Sequence, residues 1–181
     1  MIKYHRQVIE KTKNWIEKFI IDLSICPFAS KPFIEGRIQY LTCEIDADFR
    51  MIQETFLEVI LQMHEDLQYS NSFVIIADKC SFDEYLDMYY FLEELLKKGN
   101  LDSMFQLASF HPDYMYDGTT KKDLSNYRNR SPYPMIHVLR VNEVEMAIEE
   151  YGDTSKITRK NVELLADMDV EELLNKINQK R

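Results

Sequence analysis

MFQLASFHPDYMYDGTTKKDLSNYRNRSPYPMIHVLR, residues 104–140, decides how the rest of the chain is read. Its ends, MFQLASF at 104–110 and PMIHVLR at 134–140, are short apolar runs that read as strands. Between them no apolar pattern of period 2 or 3.6 runs through the middle. The segment from Phe110 to His137 carries His111, Asp113, Asn129, Arg130, Ser131 and His137. A connection this long without regular structure is uncommon inside a compact domain, and is usually functional or disordered. Four tyrosines, at 114, 116, 127 and 133, are too many aromatics for a solvated linker. Pro112, Pro132 and Pro134 restrict the backbone at both ends. The segment is therefore expected to be an ordered loop that presents polar groups.

Upstream of this stretch, helical and strand patterns alternate. Val8, Thr12, Trp15, Ile16, Phe19, Ile20 and Leu23 fall at spacings of three and four, an amphipathic helix over about residues 4–23. It must stop near Cys26, because Pro27 disfavours a helical residue before it. RIQYLTCEI, residues 37–45, alternates as a strand does. Asp46 or Asp48 can cap a helix running to about Leu67. SFVIIAD, residues 72–78, is a continuous apolar run that suits a strand covered on both faces. Ser81 and Glu84 form a capping-box pattern for a helix that Gly99 ends. After the 134–140 strand, Asn142 and Glu145 suggest another cap and Gly152 another stop. The chain from Thr158 reads as helix with a break at Asp167–Asp169.

This order predicts a single α/β domain over residues 1–181, with a small, mostly parallel central sheet of about four strands and helices packed on it. A ferredoxin-like α+β sandwich is the alternative. In an open sheet of this kind ligands bind beyond the carboxyl ends of strands, which is where His111 falls.

Composition bounds the function. A chain of 181 residues can bury a core without staples. A net charge of −9 argues against nucleic acid and against an anionic membrane surface as partners. No apolar run is long enough to span a bilayer, and no signal-peptide pattern opens the sequence. Cys26, Cys43 and Cys80 are odd in number and widely spaced, which suits a reduced, cytoplasmic protein.

LSICPFASKP at 23–32, FHPDY at 110–114 and NYRNRSPYPMIHVLR at 126–140 resemble the signature blocks of an uncharacterised bacterial family, catalogued as domain of unknown function (DUF) 1415. Order and spacing agree over nearly the whole chain. The resemblance implies a bacterial, cytoplasmic domain; it brings no activity, cofactor or catalytic residue with it.

The candidate chemistry comes from residue types. His111, at a strand end, is a general acid/base candidate with Asp113 beside it, or a structural histidine that satisfies loop carbonyls. Cys26 leaves a helix C-terminus, where the dipole raises a thiol pKa, so it is a nucleophile only with help and otherwise a small buried hydrophobe. Arg128, Asn129, Arg130 and Ser131 form a compact donor set suited to a carboxylate or phosphate, or to holding the loop through Asp113, Asp117 or Asp123. His137 should face away from Ile136 and Val138 in its strand. Three readings stay open. One is an enzyme acting on a small anionic molecule, with His111, Cys26 and Asp113 catalytic and Asn129, Arg130, Ser131 and His137 binding substrate. Another is a metal- or haem-binding protein using Cys26, His111 and His137. The third is a non-catalytic binding or interaction module. Gly36, Gly99, Gly118 and Gly152 are too few and too scattered for a phosphate loop or dinucleotide fingerprint, and the sequence names neither a cofactor nor an oligomeric state.

Overall fold

A computed structural model of the chain describes residues 2–43, 46–78 and 80–178. The elements in order are α1 (Ile2–Trp15), continued by a π-helical turn (Ile16–Ile21), α2 (Ser30–Ile34), β1 (Ile38–Thr42), α3 (Phe49–Glu65), β2 (Asn71–Ile75) and α4 (Phe82–Lys98). After these come β3 (Phe105–Phe110), a 3-10 turn (Leu124–Arg128), β4 (Met135–Arg140), α5 (Val141–Tyr151), a second 3-10 turn (Thr154–Lys156), α6 (Ile157–Ala166) and α7 (Val170–Asn178). The expected strand over 37–45 is thus β1, and its last two residues, Glu44 and Ile45, lie outside the described residues.

Local signals in the sequence account for most boundaries. The Asp48 carboxylate accepts from the Met51 N–H and caps α3, while Ser81 and Glu84 close the capping box of α4. Asp169 accepts from the N–H groups of Glu171 and Glu172 and restarts the chain as α7 after the break. The cap expected at Asn142 does not form: α5 begins directly at Val141, with no side-chain cap. The first helix also departs from a simple α pattern. Its last turn widens, with Asp22 N–H bonding the Glu17 carbonyl and Ile25 N–H the Ile20 carbonyl. That widening carries the chain from the buried Trp15, Ile16, Phe19 and Ile20 into the Cys26 loop.

The sheet runs in the order β1-β2-β4-β3. β1 and β2 pair in parallel, from Ile38 opposite Asn71 to Thr42 opposite Ile75. β4 pairs antiparallel with both neighbours, Phe73 opposite His137 and Ala108 opposite His137. The mostly parallel sheet expected from the alternating elements is therefore corrected to a mostly antiparallel one. β1, β2 and β3 share a direction, and β4 returns between β2 and β3. Nor is the fold a ferredoxin-like sandwich, because helices cover both faces. On one face α3 and α4 pack over Val74, Ile76, Ile136 and Val138; on the other, α1, its π-turn, α6 and α7 pack over Phe73, Ile75 and Met135. β2 is buried along its whole length, as the apolar run predicts.

The long loop is ordered. Its backbone forms no α-helix, only the 3-10 turn at 124–128, and Tyr114, Tyr116, Tyr127 and Tyr133 are all at least half-buried. Tyr85 ties its root to the far helix layer. The hydroxyl accepts from the Phe110 N–H and donates to the Met135 carbonyl, both at 2.9 Å. Tyr85→Phe keeps the ring's packing and leaves Phe110 and Met135 paired in the ladder but removes both hydroxyl bonds, so it should destabilise by about 1 kcal/mol. Urea unfolding checks this, and a loss under about 0.5 kcal/mol would mean that the bridge adds nothing.

Candidate functional site

A cavity of about 660 Å³ lies on the α1/α6 face of the sheet. Its floor is Ile38, Phe73, Ala108, Phe110, His137 and Leu139 from all four strands. Trp15, Ile16 and Ile20 wall one side, and the loop Ile25–Ala29 with α2 wall the next. Tyr116, Arg128 and Asn129 enter from the long loop; α5 and α6 complete the enclosure, with Ala147, Tyr151 and Asn161 among their contributions. Such a volume with a mainly apolar lining is the usual form of a small-molecule site. The site lies on the sheet's face, not beyond the strand ends as expected from a parallel sheet.

Of the residues singled out from sequence, the fold brings Cys26, Arg128, Asn129 and His137 to this cavity. His111 goes elsewhere. One residue past Phe110, it faces the opposite layer, buried against Phe82 and Tyr85 of α4, with ring centroids at 5.3 and 5.2 Å. Its Nδ1 accepts the Asp113 N–H at 3.0 Å, so its Nε2 carries the proton and donates to the Cys80 carbonyl at 3.1 Å. Both nitrogens serve the backbone, and burial pulls the pKa below the ordinary value. Asp113 is exposed and lines no part of the cavity. Cys26, His111 and His137 therefore do not form a shared ligand set, and among the described residues no three His, Cys, Asp or Glu side chains are placed to hold one ion.

The donor set of the loop is divided. Arg130 stacks on Tyr127 at 4.5 Å and donates to the carbonyls of Tyr114 at 3.1 Å and Lys121 at 2.9 Å, which locks the loop to itself. Ser131 is buried and its hydroxyl donates to the Tyr133 carbonyl at 2.6 Å. Asn129 reaches the cavity but its amide is spent: Nδ2 donates to the Ser109 carbonyl at 2.9 Å, and Oδ1 accepts the Tyr116 hydroxyl at 2.5 Å. Two arginines line the cavity, Arg37, which is paired with Glu143, and Arg128. Arg128 lies over Tyr116, 4.3 Å from the ring centre, and its Nε donates to the Ser125 carbonyl at 3.1 Å. Among the described residues, no carboxylate is in ion-pair contact with it, although its charge helps hold the Asp123 carboxyl below the usual range behind that side chain's bonds to Ser125, and no hydrogen bond takes its terminal NH2 groups.

His137 stacks on Phe73, with ring centroids 4.0 Å apart and planes 5° from parallel. A chain of hydrogen bonds fixes its tautomer. The Ser70 hydroxyl donates to the Arg37 carbonyl at 3.3 Å, so its oxygen receives the Asn71 Nδ2–H at 2.9 Å. Asn71 Oδ1 then faces His137 Nε2 at 2.9 Å and must receive a proton from it. Nδ1 is left as a bare acceptor. Burial pushes the imidazole's pKa down to about 3, so the ring is neutral at any physiological pH.

Cys26 sits at the exit of the π-turn, where backbone N–H groups of Phe28 and Ala29 favour a thiolate, but burial outweighs them and raises the thiol's pKa. Cys26 is therefore a thiol at neutral pH. Its alkylation by iodoacetamide should climb only through and above the ordinary thiol range, about pH 8.5. A rate already at its plateau at pH 7 would show an activated thiolate instead.

Three cavity residues gave no functional signal in the sequence. Trp15 reads as core stripe, Asn71 as the polar edge of a strand, and Asn161 as a helix surface. Trp15 Nε1 and Asn161 Oδ1 are nonetheless fully buried without a partner, the two such side-chain atoms among the described residues. Asn161 Nδ2 is engaged, donating to the Ile25 carbonyl at 2.7 Å.

Fold and site together define an α/β protein with a ligand-sized cavity enclosed between one face of its sheet and a helical layer. The chain belongs to the family described as protein of unknown function, DUF1415, whose model matches residues 7–175 of the 181. No curated protein and no solved structure matches it.

Proposed function

We propose that the cavity binds a small anionic organic molecule with an apolar body, and that Arg128, not Arg130, receives its carboxylate or phosphate. The observation that carries this is the union, in one cavity of about 660 Å³, of a guanidinium outside any ion pair with Cys26 and His137. A guanidinium held over an aromatic ring can still offer its fork for bidentate recognition. In a chain of net charge −9 a bound anion needs a local cation, and Lys31 adds another at the same cavity, which also carries the Arg37–Glu143 pair and Glu150. If the bound molecule is transformed, Cys26 and His137 are the groups on hand, because His111 is committed to the backbone. Three free thiols suit a reduced, cytoplasmic setting for this activity.

A metabolite screen by thermal shift tests the reading. At a hundredfold excess over its Kd a cavity ligand stabilises by about 2.7 kcal/mol, which for a chain of this size raises the Tm by roughly 5–10 °C. Arg128→Gln should weaken an anion's binding about tenfold or more, with the unliganded Tm little changed. If no anionic compound moves the Tm of the wild type, the reading fails. Cys26, with two backbone N–H groups near its sulfur, gives one ground for the haem alternative, and a visible absorbance band in the purified protein would favour that over an organic anion.

A further inference from the structure

Building on the cavity as a ligand site, we infer that its ligand is a hydroxylated or amino-substituted organic acid, whose O–H or N–H donates to Nδ1 of His137. The polarity of the wall requires a donor. The hydrogen-bond chain from the Arg37 carbonyl through Ser70 and Asn71 runs one way and leaves His137 Nδ1 without a proton. No protein group among the described residues bonds Nδ1. The fully buried, unpartnered side-chain atoms are Trp15 Nε1 and Asn161 Oδ1, so Nδ1, which is not among them, opens to the cavity that His137 lines.

Asn161 Oδ1 and Trp15 Nε1, being fully buried, do not reach the cavity, and Asn161 Nδ2 is held by the Ile25 carbonyl. His137 Nδ1 is thus the oriented acceptor that the fold leaves unmatched on the cavity wall. A purely apolar acid would bury this acceptor unpaired, which costs more than an unmade bond at the surface. A ligand that offers it a hydroxyl or N–H converts that cost into recognition. A site built to hydrogen-bond a hydroxyl rejects the analogue that lacks it far more strongly than an apolar pocket discriminates by size. The anionic group goes to Arg128, and the body of the ligand rests on the aromatic floor of Phe73 and Phe110, which lie 6.3 Å apart by ring centres and both contact the His137 ring.

The test uses matched acids that differ by one hydroxyl: phenylpropanoate with phenyllactate, and octanoate with hydroxyoctanoates. Isothermal titration of the wild type should show one hydroxylated acid binding at least about tenfold tighter than its parent. In His137→Phe, which keeps the stack on Phe73 and removes the acceptor, the two members of that pair should bind within about threefold of each other. Ring nitrogen-15 resonances of the wild type give a readout independent of any variant. The unprotonated Nδ1 signal of His137 should move on adding the hydroxylated acid and stay in place with its parent. If the parent acids bind and the hydroxyl brings no preference, or if the preference survives in His137→Phe with Nδ1 unmoved, this inference is overturned while the anion site stands. If none of the acids binds, the anion site falls and the inference falls with it.

Discussion

Asn126→Ala should destabilise the protein by about 2–3 kcal/mol and abolish ligand binding at the cavity. Asn126 is fully buried in the 3-10 turn of the long loop. Its Oδ1 accepts from the Tyr116 N–H at 2.9 Å and the Thr119 hydroxyl at 2.8 Å, and its Nδ2 donates to the Thr120 carbonyl at 2.8 Å. One amide therefore does for residues 116–120 what a strand partner does elsewhere. Alanine leaves the Tyr116 N–H without its partner and the Thr120 carbonyl with only the Asp123 N–H, at about 1–3 kcal/mol for a group that water cannot reach, and opens a void where the amide was. The effect on binding follows from what Tyr116 carries: Arg128 lies on its ring, and its hydroxyl bonds Asn129, which grips the Ser109 carbonyl at the end of β3. Urea unfolding measures the first effect, and ligand-induced Tm shifts the second. A variant that loses under 1 kcal/mol and still binds would mean that the loop is held by Arg130 and the tyrosines alone.

The second large effect is acid sensitivity. His137 and His111 are both neutral in the folded protein, and burial is the leading cause for each. Their folded pKa values lie below the unfolded value near 6.5, so below that pH the unfolded chain binds more protons. Their contribution is present in full above about pH 6.5 and is lost as the pH falls, with a slope that for His137 approaches about 1.4 kcal/mol per pH unit. For His137 the loss continues towards its folded pKa of about 3, and by about pH 5 it amounts to roughly 2 kcal/mol. Urea midpoints at several pH values between 5 and 7 should therefore fall steeply for wild type and less steeply for His137→Phe. Equal slopes in the two proteins would show that His137 is already charged, or already solvated, when folded.

Most of the secondary structure was legible because it depends on neighbours in sequence. The capping box at Ser81–Glu84, the stop at Gly99 and the all-apolar SFVIIAD run place α4 and β2 through local physics. The order in the long loop was legible for a similar reason, since four tyrosines and three prolines cannot stay solvated and free. Strand direction was not. Residues 111–134 are long enough for a crossover, yet they form no α-helix to pack across the sheet, so β4 turns back and pairs antiparallel with β3.

The site was legible only in part. Sequence drew attention to Cys26, Arg128, Asn129 and His137, which the fold gathers, and equally to His111, Asp113, Arg130 and Ser131, which it does not. Parity decides the two histidines. Phe110 faces the cavity, so His111, the next residue, turns to the other layer, whereas His137 lies opposite Ala108 and shares its face. Whether Arg128 or Arg130 would stay unpaired depended on which carbonyls the folded loop brings within reach. Trp15 and Asn161 belong to helices from opposite ends of the chain, and no spacing in the sequence relates them. The pattern along the chain determined which segments form helices, strands and an ordered loop. Only the tertiary packing decided which face closes over a cavity and which polar groups are left on its wall without a partner, because pairing and burial are set by residues far apart in sequence.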